Sequence, residues 1–435
     1  MRRALRDSSA LSEEVPPMRI LLSAIACHPG HGSESAVGWK AVAALSKQHS
    51  LHVLASKGEK EGVELALATG AYPNLSFSFF GTDAPYHENR LIARLQSWQR
   101  YVDWTRQSLE IARKITAEQH FDLVHHVTYS SWRIPSPLWQ LDLPFVWGPV
   151  GGTAEYPSKL LGKLAPRSQI FELMRGVSNR HASYSRSLKD CVRNSDAVVA
   201  SNQETFDKLL PLRGQKEGLH VLFPAFFTDR QVESLKFDAA NKPTDQPLQL
   251  FAGGNIIGSK GLIFALEALQ IASRQGIAWR LVVGGYGPEI PFLRKKAQAL
   301  GIADRIDFHM GFDGDAYRQK LKDSHIFILP SFRENAPGTI LDAMLAGCVP
   351  VVVDASAQGD IVDKNFGFKV PVRSASQITS DIAAALIELA RNPNLRISMG
   401  QMASDYVAQT YREDVYIKGI EAIYDEVRRK PLRAG

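Results

Sequence analysis

The sequence predicts an α/β protein built from two Rossmann-like, doubly wound parallel-sheet domains that face each other across a cleft. Short apolar runs of strand length alternate with helix-length segments, and this alternation stops once, at a polar stretch, before it starts again. The length of 435 residues suits two or three domains of ordinary size. Because open α/β sheets bind ligands at the carboxyl ends of their strands, we expect the functional residues there.

The first half of the chain contains the strands and helices of one such domain, which we place at residues 18–228. Its first strand, residues 18–25, is a short, mainly apolar run, as expected of a buried parallel strand. Residues 33–45 have helical spacing. Residues 1–17 lack the apolar stretch of a signal peptide and are interpreted as a mobile tail. The other strands of this half are predicted at residues 51–54, 75–80, 123–127, 145–147 and 197–200.

A polar stretch, residues 229–247, separates this domain from a second one at residues 248–410. It contains two prolines and no apolar periodicity, which is typical of a linker. Residues 411–435 contain a final amphipathic helix, a candidate for packing back on the first domain. Helices of the second domain are expected to begin near Leu262, Glu289, Ala316, Pro337 and Ile378. Its strands are predicted at residues 248–252, 281–283, 306–309, 326–329 and 349–353.

One segment carries the whole formal net charge of +6. Residues 159–193 contain eight basic and two acidic side chains, and the rest of the chain has as many acids as bases. A general affinity for nucleic acid is therefore not expected. Because the segment also contains leucines, an isoleucine and a methionine, it suits a peripheral contact with an anionic membrane. A solvated helix face that is basic is the alternative.

Cysteine usage and composition restrict the class of protein. Cys27, Cys191 and Cys348 lie far apart, which gives neither a disulfide framework nor a zinc pattern. We therefore expect a cytoplasmic protein, at the inner face of the cell membrane if the basic segment binds lipid. No run approaches the roughly 20 apolar residues that a membrane-spanning helix needs. Hydrophobic residues at 45% and charged residues at 22% exclude disordered and collagen-like proteins.

Glycine-rich turns follow several predicted strands, where backbone N–H groups can approach an anion. The first turn, residues 29–34, lacks the third glycine of a dinucleotide-binding fingerprint, and a tight turn capped by Ser33 is the alternative. In the second, residues 253–261, Lys260 is well placed to neutralise a diphosphate, although the spacing is not that of a P-loop. Residues 284–288 repeat the pattern after the next strand. Two such loops at neighbouring strand ends indicate an anion-binding site more specifically than one loop does.

Side chains at two other strand ends are candidates for substrate contacts. His125 and His126 close one strand, and since neighbouring residues of a strand face opposite sides, we expect one of them to face a ligand. A pair of satisfied structural histidines is the alternative. Residues 147–152, Trp-Gly-Pro-Val-Gly-Gly, form another glycine-rich exit from a strand, which can close over a ligand or only turn the chain.

Two carboxylates, Glu334 and Asp342, lie near the start of a helix for which Pro337 suits the first turn. They can accept hydrogen bonds from sugar or ribose hydroxyls, or only complement the helix dipole. Asp313 and Asp315 have the spacing of a metal-binding Asp-x-Asp pair. They directly precede a predicted helix, so helix capping is the better interpretation. We expect no metal and no cofactor.

Taken together, these motifs resemble the family-4 glycosyltransferases of the GT-B fold, over residues 18–424. The most specific element is a Glu-x7-Glu signature, present here as Glu334 and Asp342, followed by Ala-Met and by a Gly-x-Pro-Val run. Three further segments resemble a bacterial branch often linked to surface-polysaccharide assembly: residues 32–39, 125–128 and 147–152.

The resemblance implies a retaining glycosyltransferase that moves a sugar from a nucleotide-sugar donor to a saccharide or lipid-linked saccharide acceptor, in surface or extracellular polysaccharide biosynthesis. The donor would be a substrate of the second domain and the acceptor a substrate of the first, with domain closure excluding water. A nucleotide-sugar epimerase of the same fold and a catalytically weak sugar-nucleotide-binding subunit are alternatives.

The resemblance also implies roles for single residues. Lys260 would bind the donor diphosphate, Glu334 the transferred sugar and Asp342 the ribose, while His126 would face the reacting centre. Lys260, Glu334 and His126 are thus the expected catalytic residues. The acceptor-binding residues are expected to be His125, Trp147, Gly151 and Gly152. The donor-binding residues are expected to be Gly32, Ser33, Gly254, Asn255, Lys260, Gly285, Tyr286, Gly287, Gly311, Phe312, Glu334, Asn335, Ala336, Pro337, Gly338 and Asp342.

The sequence departs from the family pattern at two positions. Asp342 is one methylene shorter than the usual glutamate, which lengthens its expected ribose contact. Asn255 stands where the family usually has an arginine, so one of two cationic partners for the diphosphate is missing. Arg333, beside the predicted sugar-binding carboxylate, is a candidate substitute.

Overall fold

The structure, a computed structural model, describes residues 16–84, 90–239, 242 and 247–429, without the side chains of residues 90, 91 and 94. The predicted tail falls outside the described residues except for its last two positions. Residues 240–241 and 243–246 of the predicted linker also lie outside them.

Thirteen strands and fifteen α-helices make up the described part of the chain. The strands are β1 (Arg19–Ala24), β2 (Ser50–Ser56), β3 (Leu75–Phe80), β4 (Leu123–Thr128), β5 (Phe145–Val150), β6 (Ala197–Ala200), β7 (Leu219–Val221), β8 (Leu248–Gly253), β9 (Trp279–Gly284), β10 (Ile306–His309), β11 (Ile326–Leu329), β12 (Val349–Val353) and β13 (Phe368–Val370). The helices are α1 (Ser33–Leu45), α2 (Lys60–Leu67), α3 (Arg90–Glu118), α4 (Pro166–Tyr184), α5 (Arg186–Asn194), α6 (Gln203–Arg213), α7 (Asp229–Leu235), α8 (Leu262–Arg274), α9 (Ile290–Ala299), α10 (Gly314–Asp323), α11 (Gly338–Leu345), α12 (Ser356–Ile361), α13 (Ala375–Arg391), α14 (Pro393–Thr410) and α15 (Glu413–Arg428).

Unit 1 contains a parallel sheet of seven described strands in the order β3-β2-β1-β4-β5-β6-β7. The chain runs outward from β1 to β3 and then returns to lay β4 on the other side of β1, with Ile20 opposite Leu123. The gap between the carboxyl ends of β1 and β4 is therefore the topological switch point, where ligands bind in open α/β sheets. Unit 1 consists of Met1–Thr153, Arg180–Pro224 and Glu413–Gly435, as far as these are described.

Unit 2 consists of Ala154–Asn179 and Ala225–Arg412 and repeats this arrangement. Its six described strands are parallel and have the order β10-β9-β8-β11-β12-β13, so its switch point lies between β8 and β11. Both sheets are covered on their two faces, which explains why strands such as β11 (IFIL) are apolar throughout and wholly buried. The predicted fold class of two doubly wound parallel-sheet units is confirmed.

Residues 154–179 belong to unit 2, which differs from the predicted boundary at residue 228. Leu160 and Leu164 are buried in the core of unit 2. Lys163 Nζ donates to both carboxylate oxygens of Glu267 on α8, at 2.8 Å each. Apolar burial and this ion pair hold the segment on the second sheet, although it precedes the strands of that sheet by many residues.

The polar stretch predicted as a linker contains a helix. The side chain of Thr228 accepts from the N–H of Gln231, and the Gln231 side chain bonds back to Thr228, which is a capping box that starts α7. Val232 and Leu235 of this helix are buried. The final amphipathic helix, α15, packs in unit 1. None of the described helices combines the length and apolar character needed to cross a bilayer.

Candidate functional site

The candidate site of unit 2 lies at the switch point between β8 and β11. Lys260 follows β8 and Glu334 follows β11, and Lys260 Nζ donates to Glu334 Oε1 at 2.5 Å. The two side chains are 13% and 10% exposed, so water screens their interaction only weakly. The structure thus brings together the two residues that the sequence predicts for the diphosphate and the transferred sugar.

The backbone at Glu334 is fixed by a serine from the end of the next strand. The Glu334 N–H donates to Ser356 Oγ at 3.0 Å, and the Ser356 hydroxyl donates to the Glu334 carbonyl oxygen. Ser356 itself has a left-handed backbone, with φ of 55°. The orientation of the carboxylate is therefore set by two loops that meet at this end of the sheet.

Lys260 ends a short 3-10 turn that is tied to the chain segment after β11. The Phe332 N–H donates to the Ser259 carbonyl oxygen at 2.9 Å. Gly261 has φ of 64°, and a β-carbon on it would lie 2.2 Å from the Pro330 carbonyl oxygen. Only glycine permits this approach, and the approach holds the lysine-bearing turn against the loop that carries Glu334.

The glycine-rich loops after β8 and β9 pack directly on each other. The Gly254 N–H donates to the Gly284 carbonyl at 3.0 Å, and the Ile256 N–H donates to the Tyr286 carbonyl at 2.9 Å. A β-carbon on Gly285 would lie 2.0 Å from the Gly254 carbonyl oxygen. These predicted donor-binding glycines therefore have a structural requirement in this fold, whether or not they also contact a ligand.

Asp342 lies in the second turn of α11, as predicted. Its Oδ2 accepts from the Tyr317 hydroxyl at 3.3 Å. The Tyr317 ring packs against Phe251, with ring centroids 5.9 Å apart. Burial, together with the neighbouring Asp342 charge, raises the pKa of Tyr317 well above its usual value. The tyrosine thus remains a neutral donor that orients the carboxylate.

Arg333, the candidate substitute for the arginine missing at position 255, is engaged by α4 and by the turn before Lys260. Its Nη2 donates to Glu172 Oε1 at 2.9 Å and to Ser259 Oγ at 3.1 Å. The two charged side chains are 12% and 2% exposed. The guanidinium therefore ties α4 to the turn that carries Lys260, and the suggestion that it replaces the family's arginine is not supported.

The remaining predicted donor residues lie around the same strand ends. Pro337 is the N-cap residue of α11 rather than part of its first turn. Phe312 stacks on His309 with ring centroids 4.0 Å apart. The others lie on the loops after β8, β9, β10 and β11 or, for Gly338, at the first residue of α11, and are partly or fully exposed: Asn255, Tyr286, Gly287, Gly311, Asn335, Ala336 and Gly338.

The candidate site of unit 1 lies at the switch point between β1 and β4. The loop after β1 leads into α1, whose N-cap residue is Gly32 rather than the expected Ser33. The adjoining Glu34 Oε1 accepts from the N–H and the hydroxyl of Ser130, both at 2.7 Å. The loop after β1 is thereby joined to the loop after β4.

His126 is buried within β4, two residues before the strand ends. Its Nδ1 lies 3.0 Å from Ser23 Oγ on β1. Burial lowers the pKa of His126 to about 4, so the imidazole is neutral near pH 7.

His125 faces the interior of unit 1, and its predicted contact with the acceptor is not supported. Its Nε2 lies 2.6 Å from the Gly148 carbonyl oxygen, which only accepts, so Nε2 carries the proton. Its Nδ1 then accepts from the Tyr424 hydroxyl at 2.7 Å. Burial lowers the pKa of His125 to about 4. The alternative interpretation, a structural histidine with both ring nitrogens hydrogen-bonded, therefore describes His125.

The predicted acceptor role of Trp147 is not supported either, because its side chain is buried in the core of unit 1. Gly151 and Gly152 follow it and are also buried. The Gly151 N–H donates to the Ser130 carbonyl at 2.7 Å, which anchors the loop after β5 to the loop after β4. The loop turns the chain at this point.

One group of metal-ligand types occurs in the described residues: His28, His31 and Glu59, whose ligand atoms lie within 4.8 Å of one another. His28 Nδ1 accepts from the Gly30 N–H at 3.0 Å. Its Nε2 is pressed against α2, since a β-carbon on Gly62 would lie 2.0 Å away. One ring nitrogen of His28 is therefore engaged by its own loop, and the other lies against α2. The expectation of no metal stays a prediction.

In the other metal candidate, the Asp313–Asp315 pair, Asp313 caps a helix and Asp315 forms an ion pair with Arg318. Asp313 Oδ1 accepts from the Ala316 N–H at 2.7 Å at the start of α10. The interpretation as a helix cap is confirmed.

Four residues that support the candidate sites were not identified from the sequence: Glu34, Glu172, Tyr317 and Ser356. The partners of Glu172 and Glu34 are 161 and 96 positions away along the chain. No spacing rule connects residues so far apart, and their pairing depends on the sheet order. Tyr317 is also distant from Asp342, and nothing in the sequence around Ser356 signals its role.

Comparisons with known proteins agree with this architecture. Residues 233–405 match the family model described as Glycosyl transferases group 1. The matched range begins within α7 and ends within α14, so it contains all six strands of the second sheet. Unit 2 thus carries a group 1 glycosyltransferase domain.

Curated relatives are similar over part of their length. The alpha-D-kanosaminyltransferase of Streptomyces kanamyceticus is 27% identical over 184 residues, which are 42% of this chain and 46% of that protein. WcaL of Salmonella typhimurium, named as a colanic acid biosynthesis glycosyltransferase, is 25% identical over 284 residues, 58% of this chain and 67% of that protein. The chain therefore spans about half the length of the first relative and two thirds of the second.

A solved structure shares the fold. The crystal structure of Alr3699/HepE from Anabaena, in complex with UDP and glucose, superposes with a TM-score of 0.59 at 13% identity. The superposition covers 94% of this chain and 99% of that chain.

Proposed function

We propose that the protein is a retaining, family-4 glycosyltransferase that moves a sugar from a nucleotide-sugar donor to a saccharide or lipid-linked saccharide acceptor. The observation that carries the proposal is the buried Lys260–Glu334 pair at the switch point of the unit that matches group 1 glycosyltransferases. An ammonium and a carboxylate side by side suit a ligand that joins an anionic diphosphate to a hydroxyl-rich sugar. The relative named for colanic acid biosynthesis supports a role in surface or extracellular polysaccharide biosynthesis.

In this proposal, unit 2 binds the donor. The Lys260 ammonium neutralises the diphosphate, while Glu334 and the N–H groups of the loop before α11 hold the hydroxyls of the transferred sugar. Asp342, oriented by Tyr317, accepts from a ribose hydroxyl. The structure with UDP and glucose supports this class of donor, because that protein has the same fold.

The proposed transfer has no covalent enzyme intermediate. The bond between the anomeric carbon and the diphosphate oxygen breaks with its electron pair going to the phosphate. The acceptor hydroxyl oxygen forms the new bond on the same face, and its proton passes to the leaving phosphate oxygen. Lys260 stabilises the growing negative charge, an electrostatic effect that usually dominates such reactions.

His126 takes part as a neutral group in this proposal. Because its pKa is about 4, it offers hydrogen bonds to the sugar near the reacting centre and does not supply a positive charge at neutral pH.

Unit 1 is proposed to bind the acceptor. A lipid-linked acceptor places the protein in the cytoplasm at the inner face of the cell membrane. The surplus of basic side chains in residues 159–193 supports this location.

Donor binding is tested by thermal unfolding with UDP-, GDP- and dTDP-sugars. A ligand at 100 times its Kd raises stability by about 2.7 kcal/mol, which a melting curve resolves. We expect one class of nucleotide sugar to raise the melting temperature and to be hydrolysed slowly without acceptor. No stabilisation by any nucleotide sugar would contradict the proposal.

Lys260→Ala and Glu334→Ala should each reduce transfer about 100-fold or more, as for loss of a major electrostatic contact. Lys295→Ala, which removes an exposed lysine from α9, is the matched control and should keep full activity. Near-normal turnover in either site variant would exclude the proposed roles. The anomeric configuration of the product, determined by NMR, tests retention, and an inverted product would exclude it.

A further inference from the structure

Helix α4 has its polar and apolar faces reversed relative to an ordinary surface helix. Ile170, Leu173, Met174 and Val177 are 61%, 55%, 67% and 70% exposed. Polar side chains of the same helix, among them that of Glu172, are buried instead. A surface helix normally buries its apolar stripe, so the outward stripe needs an apolar surrounding to cover it.

The orientation of α4 is fixed by polar contacts within unit 2. Glu172 pairs with Arg333. The Ser168 hydroxyl donates to Glu289 Oε2 at 2.5 Å, and the Ala165 N–H, just before the helix, donates to Glu289 Oε1 at 3.2 Å. A rotation that buried the apolar stripe would break these bonds and leave charged groups without partners.

The charge around the stripe is positive. At 100° per residue, the four apolar side chains occupy an arc of about 100°, and Arg167 and Arg180 stand on its two sides. Both arginines are exposed. The single acid of α4 is Glu172, which is buried, so the exposed face of this helix has no negative charge.

The part of the basic segment that precedes α4 is engaged within unit 2. Lys163 pairs with Glu267, and Leu160 and Leu164 are buried in the core of unit 2. Within residues 159–184, the lipid contact suggested by the composition is therefore assigned to the exposed face of α4.

We propose that α4 docks on an anionic lipid bilayer, with Ile170, Leu173, Met174 and Val177 inserted at the interface. Arg167 and Arg180 lie against the headgroups, as in amphipathic helices that combine an apolar face with basic borders. This inference rests on the membrane location in the proposed function and names the contact. A symmetric contact between two copies of the chain would bring like-charged arginine borders together, which disfavours that occupant.

The test is co-sedimentation of the full chain with vesicles of phosphatidylcholine containing 30% phosphatidylglycerol, and with pure phosphatidylcholine vesicles. We expect binding to the anionic vesicles that weakens with added salt. The triple variant Leu173→Ser, Met174→Ser, Val177→Ser should bind at least tenfold more weakly. Leu65→Ser, which changes an equally exposed leucine on α2, is the matched control and should bind like the wild type.

Binding of the triple variant equal to that of the wild type would overturn the proposal. So would light scattering that shows a wild-type dimer and a monomeric variant with unchanged vesicle binding. Donor hydrolysis in solution should be the same in wild type and variant, because no stripe residue lies among the proposed donor-binding residues. If the wild type hydrolysed the donor but did not bind anionic vesicles, the docking of α4 would be wrong and the proposed glycosyltransferase function would stand.

Discussion

At the scale of single residues, Glu172 is notable because it is a buried acid on a helix whose other charged residues are basic. Its carboxylate holds Arg333, and the same Arg333 nitrogen also donates to Ser259, the neighbour of Lys260. The acid therefore acts on the candidate donor site through another side chain, and we regard it as a positioning residue.

Glu172→Gln should raise the KM for the donor about tenfold, equivalent to about 1.4 kcal/mol, with a smaller change in kcat. The amide keeps the shape of the side chain but leaves the buried guanidinium without its counter-charge, so the turn that carries Lys260 is held less firmly. Steady-state kinetics with the donor identified by the thermal screen measure the effect.

Glu155→Gln changes an exposed glutamate in residues 154–179, the same segment of unit 2. It is the control and should leave the donor KM and kcat unchanged. Partial recovery of the donor KM in Glu172→Asp would identify the charge as the important feature. If Glu172→Gln lowered stability and kcat while the donor KM stayed constant, the positioning role would be wrong.

The residue scale also shows how far sequence patterns reach. Lys260 and Glu334 could be selected in advance, because each stands on a loop at a strand end, and parallel strands bring such loops together. The side-chain orientations of Arg333 and His125 could not be predicted from the sequence. They depend on partners on α4 and α15, which are remote in sequence.

At the scale of elements, α15 completes unit 1. Tyr424 is fully buried, and its hydroxyl donates to His125 on β4. Lys47, just after α1, forms an ion pair with Glu413, the first residue of α15. The amphipathic pattern predicted the helix, and these contacts define its place.

Tyr424→Phe should lower the free energy of unfolding by about 1–3 kcal/mol, because it leaves the buried Nδ1 of His125 without a donor. Urea unfolding followed by circular dichroism measures the change. Tyr184→Phe, which removes an exposed hydroxyl from α4, should change stability by less than about 0.5 kcal/mol. Equal effects of the two substitutions would show that the hydroxyl bond to His125 contributes nothing.

Strands β6, β11 and β12 were predicted with their bounds, because they are short, wholly buried apolar runs. Strands β3 and β10 were also predicted with their bounds, although both are partly exposed and contain polar residues. The three-residue strands β7 and β13 were missed, since so few residues carry no pattern of their own. Helix α7 was missed because its short polar sequence resembles a linker until the burial of Val232 and Leu235 is known.

At the scale of the whole molecule, the two units differ in their expected response to acid. Four histidines whose pKa is lowered chiefly by burial all lie in the described part of unit 1: His49, His52, His125 and His126. The unfolded chain protonates these rings near pH 6.5, whereas the folded unit keeps His125 and His126 neutral down to about pH 4. The unfolded state thus binds more protons between these values.

The stabilisation of unit 1 should therefore be complete above pH 6.5 and be lost as the pH falls toward 4, by about 1.4 kcal/mol per pH unit for each such histidine. Hydrogen exchange at pH 7 and pH 5, corrected for intrinsic rates, measures the change. Peptides from β4 and α15 should lose more protection than peptides from α8 in unit 2. Equal losses in both units would contradict the prediction.

The placement of α15 in unit 1 has a consequence for the order of events on the ribosome. The described strands of unit 1 are synthesised first, and the helix that covers His125 is synthesised only after every described strand of unit 2. During translation, β4 and β5 therefore lack the packing of α15 at a stage when the sheet of unit 2 is already able to form. The second half of this chain can reach its finished state before the first.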